Sequence, residues 1–269
     1  MKLKATALLG ALLIALSISS CSVPSGSPAV GGLRSGDQST SRNNFAPNHE
    51  GPNPTAPENR PGLATGWGDE RDSEMSYTQF TRAASQPAGT GIIFYNDPEG
   101  IKAMSNGTEK VAAMQMAAGE MVEWGVRGRF GFLPTYKEYG YGRRLVAGNK
   151  GGSYAIVVKN RCKSALEIVA SVDGLDVQDG KSASFSKRGY IIQPGKTLEI
   201  EGFRKSESKI AAFEFSSVTG SYANLKHGDT RNVGVIGLAV FTRKNVDPWK
   251  WSEDEIQHRD NARPFAEAP

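Results

Sequence analysis

The chain has 269 residues, with 32 Lys plus Arg against 28 Asp plus Glu, a formal net charge of +4 and a pI near 9.0. So near a balance supplies little counterion release, which argues against nucleic-acid recognition through phosphates. Two cysteines in the whole chain leave no room for a disulfide framework, so any folded part must rest on a packed core.

Lys2 and Lys4 precede an apolar run over residues 8–16, and Ile18-Ser19-Ser20 leads into Cys21. A basic start, about a dozen apolar residues and small residues before a cut make an export signal, and the run falls short of the ~20 residues that span a bilayer. Ile18-Ser19-Ser20-Cys21 resembles the lipobox of bacterial lipoproteins. The resemblance implies a signal peptide over residues 1–20, cleavage before Cys21, and three acyl chains on that cysteine. Because Ser22 rather than Asp follows, it also implies sorting to the outer membrane in a Gram-negative cell. Each buried acyl methylene contributes ~0.8 kcal/mol, so several chains anchor firmly. Without the leader's two lysines the charged residues stand at 30 against 28, a net charge of +2.

Residues 22–87 are dominated by Gly, Ser, Pro, Asn and charged side chains, as in Ser22-Val23-Pro24-Ser25-Gly26 and Asn48-His49-Glu50-Gly51-Pro52. Such a segment buries too little apolar surface to offset the entropy of ordering. Residues 21–87 are therefore expected to be a lipidated cysteine and a disordered tether, spanning about 40–50 Å at ~5–6 Å × √n. Trp67, Tyr77 and Phe80 mark where it starts to dock.

From residue 88 the pattern changes. Gly91-Ile92-Ile93-Phe94-Tyr95 reads as a strand closed by the turn cluster Asn96-Asp97-Pro98-Glu99-Gly100. Residues 111–124 fit a helix by their Ala and Met content and two strands by Gly119, with strands preferred. Tyr154-Ala155-Ile156-Val157-Val158 is a β run. Leu166-Glu167-Ile168-Val169-Ala170-Ser171-Val172 alternates and ends at Asp173-Gly174. Gln193-Pro194-Gly195-Lys196 is a tight turn with Pro early and Gly next. Beyond it Leu198 and Ile200 share one face while Glu199 and Glu201 take the other. Residues 233–241 are apolar on both faces, which predicts a central buried strand. Turns recur every eight to fifteen residues with no convincing helix between them. The expected fold is all-β: a single antiparallel β-sandwich, jelly-roll-like, over residues 88–244 after the disordered tether.

Residues 245–269 form a polar tail. Ser252-Glu253-Asp254-Glu255 has capping-box spacing and predicts a helical turn. Trp249 and Trp251 straddle Lys250 and are expected to dock the tail on the body rather than to meet a ligand. A run from Ser171 through Asp179-Gly180, then Lys187-Arg188-Gly189-Tyr190, Pro194-Gly195 and Ile200-Glu201-Gly202-Phe203, continues to residues 232–241. It resembles a recurring domain of uncharacterised bacterial envelope proteins. The resemblance implies an exported β domain and adds no chemistry.

The chain has three histidines, and no two of them stand at metal-ligand spacing. No Gly-x-Ser-x-Gly elbow, P-loop or dinucleotide fingerprint occurs. Cys162, between Arg161 and Lys163, reads as a structural cysteine, with a reactive thiol or a Cys162–His227 dyad as the catalytic alternative. Asp173, Asp176 and Asp179 recur every third residue and form a weak calcium candidate. Their spacing departs from the EF-hand, and Asx turns explain them more simply. The strongest candidate binding surface is Trp124, Arg127, Arg129, Tyr136, Tyr139, Tyr141, Arg143 and Arg144, since aromatics and arginines dominate contact hot spots. Its rival is a glycine-rich hairpin whose aromatics fill the end of a sandwich.

The sequence thus leads to a non-enzymatic, membrane-anchored envelope lipoprotein that binds a protein or assembly, with no cofactor and no nucleic acid. A glycan- or peptidoglycan-binding module and a hydrolase with a dispersed pair of carboxylates are the alternatives.

Overall fold

The computed structural model describes residues 60–263; the leader, Cys21 and most of the expected tether lie outside the described residues. The first strand, β1 (Leu63–Asp72), falls inside the segment expected to be slack, so the folded body begins earlier than residue 88. After it come β2 (Gly89–Asn96) and a short helix α1 (Pro98–Met104). The Asn-Asp-Pro cluster expected to be a plain turn opens that helix. Asp97 is its N-cap, accepting from the Gly100 N–H at 2.6 Å, and Pro98 takes the first helical position, where its missing N–H costs nothing.

The chain continues with β3 (Thr108–Lys110), β4 (Gln115–Ala117), β5 (Val122–Gly128), β6 (Gly131–Phe132), β7 (Thr135–Glu138), β8 (Arg144–Ala147) and β9 (Ser153–Asn160). Residues 111–124 hold no helix and two pieces of strand, β4 and the start of β5, joined by a turn, as preferred. The Asp173-Gly174 pair joins β10 (Leu166–Val172) to β11 (Leu175–Asp176) as a two-residue hairpin turn. Both turn residues have positive φ, +54° and +79°, which is why Asp followed by Gly stands there. Then come β12 (Tyr190–Ile192), β13 (Thr197–Ile200), β14 (Gly202–Arg204), β15 (Lys209–Ser217), a short α2 (Tyr222–His227), β16 (Val235–Thr242) and α3 (Glu253–Asp260). Ser252 caps α3 as its spacing predicts, accepting from the Glu255 N–H at 3.2 Å.

The strands form two eight-stranded sheets packed as a sandwich. Sheet one runs β1-β15-β9-β5-β4, with β13 on β9, β14 on β15 and β6 on β5; sheet two runs β11-β10-β16-β2-β8-β7-β3, with β12 on β10. All pairings are antiparallel except β2–β8, which the long excursion through α1 and β3–β7 makes possible. β16 lies between β10 and β2, the central position its apolar sequence predicts. Ile236, Leu238 and Val240 point into the main core beside Leu166, Ile168, Val172, Trp124 and Phe213. Its other face also needs cover: Ala239 and Phe241 join Val169 in a second cluster under Phe80.

One polar feature crosses the core. Asp173 Oδ1 accepts from the Tyr95 hydroxyl at 2.6 Å and the Gly234 N–H at 2.8 Å, and Oδ2 accepts from the Thr65 N–H at 2.7 Å. Thr65 Oγ1 hydrogen-bonds the hydroxyls of Tyr95 at 2.8 Å and Tyr154 at 2.6 Å. Thr65 and Tyr154 belong to sheet one, Tyr95 and Asp173 to sheet two. Because the Tyr95 proton is committed to Asp173, Thr65 must donate to Tyr95 and Tyr154 to Thr65, so the donors run one way and end on the carboxylate.

Candidate functional site

The segment between β1 and β2 crosses the side of the sandwich as a strap over residues 73–82. Its start is tied by the Ser73 N–H to Ser208 O at 2.8 Å and by Arg204, which donates to Ser73 O at 2.8 Å and Ser73 Oγ at 3.1 Å. Its end is tied by Arg82, which grips both Glu167 oxygens at 2.7 and 2.9 Å and donates to the carbonyls of Phe185 and Lys187. The Arg82 guanidinium also lies 3.6 Å from the Phe241 ring centroid, and the Ala83 N–H bonds Thr242 O at 2.9 Å. Between these anchors Tyr77 donates to Glu207 at 3.1 Å; that bond to a carboxylate raises the tyrosine's pKa.

Beneath the strap lies a cleft of about 1330 Å³. Its origin is topological. The run β13–β14 enters sheet one as a wedge, pairing first with β9 and then with β15 on its opposite side. β13 is therefore paired along one side only, as is β12 on β10, and both line the cleft. Half-buried Tyr190, Ile191 and Leu198 contribute apolar surface, and Gln178, Gln193, Arg188 and Glu201 contribute polar groups. An adjoining recess of about 520 Å³ shares Met75, Tyr77, Gln178, Arg188 and Arg204 with the main cleft and adds Asp176, Asp179 and Lys187.

The three aspartates expected as a calcium candidate hold three different posts. Asp173 is the buried end of the cross-sheet network, and burial, opposed by its hydrogen bonds, pushes its pKa up to about 6. Asp176 Oδ1 accepts from the N–H groups of Gln178 at 2.9 Å and Asp179 at 3.2 Å, an Asx turn. Burial raises its pKa, and the neighbouring Asp179 charge adds to that. Asp179 pairs with Lys187; burial acts to raise its pKa, but the Lys187 ammonium and the Lys181 N–H outweigh it and leave it lowered. Among the described residues no three His, Cys, Asp or Glu side chains are grouped to hold a metal.

The aromatic–arginine stretch does not form one surface. Trp124 is fully buried on β5, its indole against Gly91 of the opposite sheet, where a Cβ would come within 2.7 Å of the ring. Its alternating partners on β5, Val122 and Val126, face the same core, which is why it points inward. Arg127 pairs with Glu199, and Arg129 lies over Phe130 at the β5–β6 tip, where Phe130 is 96% exposed. Tyr136 packs half-buried against Ile101 and Leu145. Arg143 is held by both Glu138 oxygens at 2.6 and 2.9 Å and donates to Met104 O, while Arg144 is half-buried. Of the set on sheet two, Tyr139 and Tyr141 stay open to solvent at the β7–β8 turn.

Cys162 is buried, and burial lifts its thiol to about 11. Its Sγ faces the Met121 carbonyl at 3.7 Å, whereas the His227 ring is engaged elsewhere, with Nε2 at 2.8 Å from Gly180 O. A dyad between them does not form. At neutral pH iodoacetamide should leave the Cys162 peptide unmodified in the folded protein and label it in denaturant, which peptide mapping reads directly.

No protein-family model, curated protein or solved structure matches the chain.

Proposed function

We propose that this protein is a non-enzymatic binding module of the bacterial envelope, anchored through acyl chains on Cys21, that receives a protein partner in the cleft under the strap. The observation that supports the reading best is the cleft itself: two strands with one open side each, half-buried apolar side chains, and a polypeptide wall fastened at both ends. A strand with an open side offers backbone donors and acceptors to an extended partner. The lipobox-like Ile18-Ser19-Ser20-Cys21 supports the anchor. Anchoring would raise the effective concentration of the domain toward membrane partners to roughly millimolar.

Photo-crosslinking residues placed at Gln193 and at Thr78, both at the cleft, are compared in intact cells with the same residue at Phe130 and Tyr141, on the hairpin tips. Partner adducts should come from the cleft positions and not from the tips. In the Cys21→Ala chain the protein should leave the membrane fraction and the adducts should fall away. Adducts from the tips alone would move the site, and a Cys21→Ala chain that still pellets with membranes would remove the anchor.

A further inference from the structure

The recess beside the main cleft holds a carboxylate with one oxygen that has no partner. Asp176 is 1% exposed, its Oδ1 is used by two backbone N–H groups, and its Oδ2 has no hydrogen-bond partner. A buried carboxylate oxygen left unsatisfied carries a desolvation cost that a donor would relieve. We propose that this recess is the receptor for a lysine ammonium on an extended peptide, seated between Asp176 and Asp179. The proposal rests on the binding-module reading of the same cleft and names the chemistry of its ligand.

The chain already places one ammonium here. Lys187 sits on Asp179 Oδ2, so the recess accommodates that group and compensates its charge. The surrounding charge favours a second cation. Arg82 is spent on Glu167 and Lys187 on Asp179, while Lys205 pairs with Glu70 and Glu199 with Arg127, both partners outside the cleft. Four carboxylates then remain in the two lobes, Glu74, Asp176, Glu201 and Glu207, none of them in an ion pair among the described residues, against Arg188 and Arg204. Arg204 keeps its charge, but its donors are taken by the carbonyls of Ser73, Ser206 and Glu207 and by Ser73 Oγ, which leaves four carboxylates against two cations. A guanidinium fits less well than an ammonium, since its planar fork seeks two acceptors side by side and Asp176 has one free oxygen. The peptide character follows from the main lobe, which is lined by β12 and β13, two strands with one unpaired side each, the backbone pattern that suits an extended chain better than a compact ligand.

The test uses the detergent-solubilised full-length protein and calorimetric titration with three probes at low salt. These are the peptide acetyl-Ser-Val-Lys-Val-Thr-amide, the same peptide with its lysine side chain acetylated, and a glucosamine tetramer. The lysine peptide should bind at least about tenfold more tightly than the acetylated one. Asp176→Asn should cost about the same factor with thermal unfolding little changed, because the Oδ1 acceptor is kept. Lys187→Gln should strengthen binding by a few fold, since it removes the built-in competitor for Asp179. Equal binding of the acetylated peptide, no binding of the lysine peptide, or preference for the glucosamine tetramer overturns the proposal. The cleft crosslinks described above would still be expected if only the ammonium assignment failed. Should Asp176→Asn not fold, the sign of the Lys187→Gln effect decides, and no change or a loss overturns the assignment.

Discussion

Asp173→Ala is expected to lower the unfolding free energy by about 4 kcal/mol, a large part of the 5–15 kcal/mol that holds a domain together. Three buried donors lose their acceptor at once: the Thr65 N–H, the Tyr95 hydroxyl and the Gly234 N–H. Each orphaned donor costs about 1–3 kcal/mol, and an alanine at φ +54° adds strain of about 1 kcal/mol that an aspartate or asparagine tolerates better. The loss also removes one of the polar links between the sheets, Thr65 N–H to Asp173, while the Thr65–Tyr95 hydroxyl bond stays. Urea unfolding followed by Trp fluorescence measures the shift. Asp173→Asn, which keeps the backbone preference and one acceptor oxygen, should lose less.

The same residue sets a pH dependence of defined sign. The Asp173 pKa in the fold, about 6, stands above the ordinary 3.8, so the folded state holds a proton that the unfolded state has released. Its contribution to stability is fully present below about pH 3.8 and is lost as pH rises through 6. The two-unit difference corresponds to about 3 kcal/mol. Tyr95 and Tyr154, the titratable groups that face it, are pushed well above 10 by burial and stay neutral throughout. Protonation also reverses the donor chain: the new carboxyl proton goes to Tyr95, and each hydroxyl then donates away from Asp173. The difference in unfolding free energy between the native protein and Asp173→Asn should therefore shrink from pH 4 to pH 7. A constant difference would show that folding leaves the Asp173 pKa near its ordinary value.

The sandwich was legible because most of its strands carry their pattern in their own side chains. Leu198 and Ile200 alternate with acids, Leu166 and Ile168 alternate along β10, and Asp173-Gly174 and Pro194-Gly195 announce their turns through positive φ. β1 was hidden because its buried part, Leu63-Ala64-Thr65-Gly66, is mostly small or polar. It pairs with β15 through positions that require smallness: a Cβ on Gly66 would lie 3.0 Å from Ser216 Cβ, and one on Gly68 2.7 Å from Ala212 O. Hydropathy sees no strand there, since the apolar half of the pair sits on the partner. The candidate surface comes apart for a related reason. Aromatics and arginines on adjacent strands look like one surface in sequence, but β5 and β7 belong to different sheets and each strand turns alternate residues inward. Tyr77 and Phe80 marked a docking point, but the strap as a whole was hidden, because the other six residues of 74–81 are polar or belong to no apolar period. What holds it in place is a pair of arginines whose partners lie more than eighty residues away.

Arg82 is the more consequential of that pair, and Arg82→Ala is expected to cost about 3–5 kcal/mol. Glu167 is nearly inaccessible, with 6% of its side chain exposed, and the Gly189 N–H at 2.7 Å would be the main donor left to it. Removing the guanidinium thus leaves a buried, poorly compensated carboxylate. It also takes the cation from over the Phe241 ring and frees the Phe185 and Lys187 carbonyls. Arg82→Lys should recover only part of the loss, because a single ammonium cannot bridge two carboxylate oxygens and two carbonyls at once. If the cost arises from the stranded charge, Arg82→Ala with Glu167→Leu will be more stable than Arg82→Ala alone, and a thermal-melting comparison of the three chains decides it. The local consequence is separable from the global one. With the C-terminal anchor gone, the amides of Ala83 and Lys244, which bond across to Thr242 and Thr81, should exchange with solvent early, and protease should cut within residues 74–81. Stability restored by the double change while the strap still exchanges fast would separate two roles of Arg82: balancing a charge and closing one wall of the cleft.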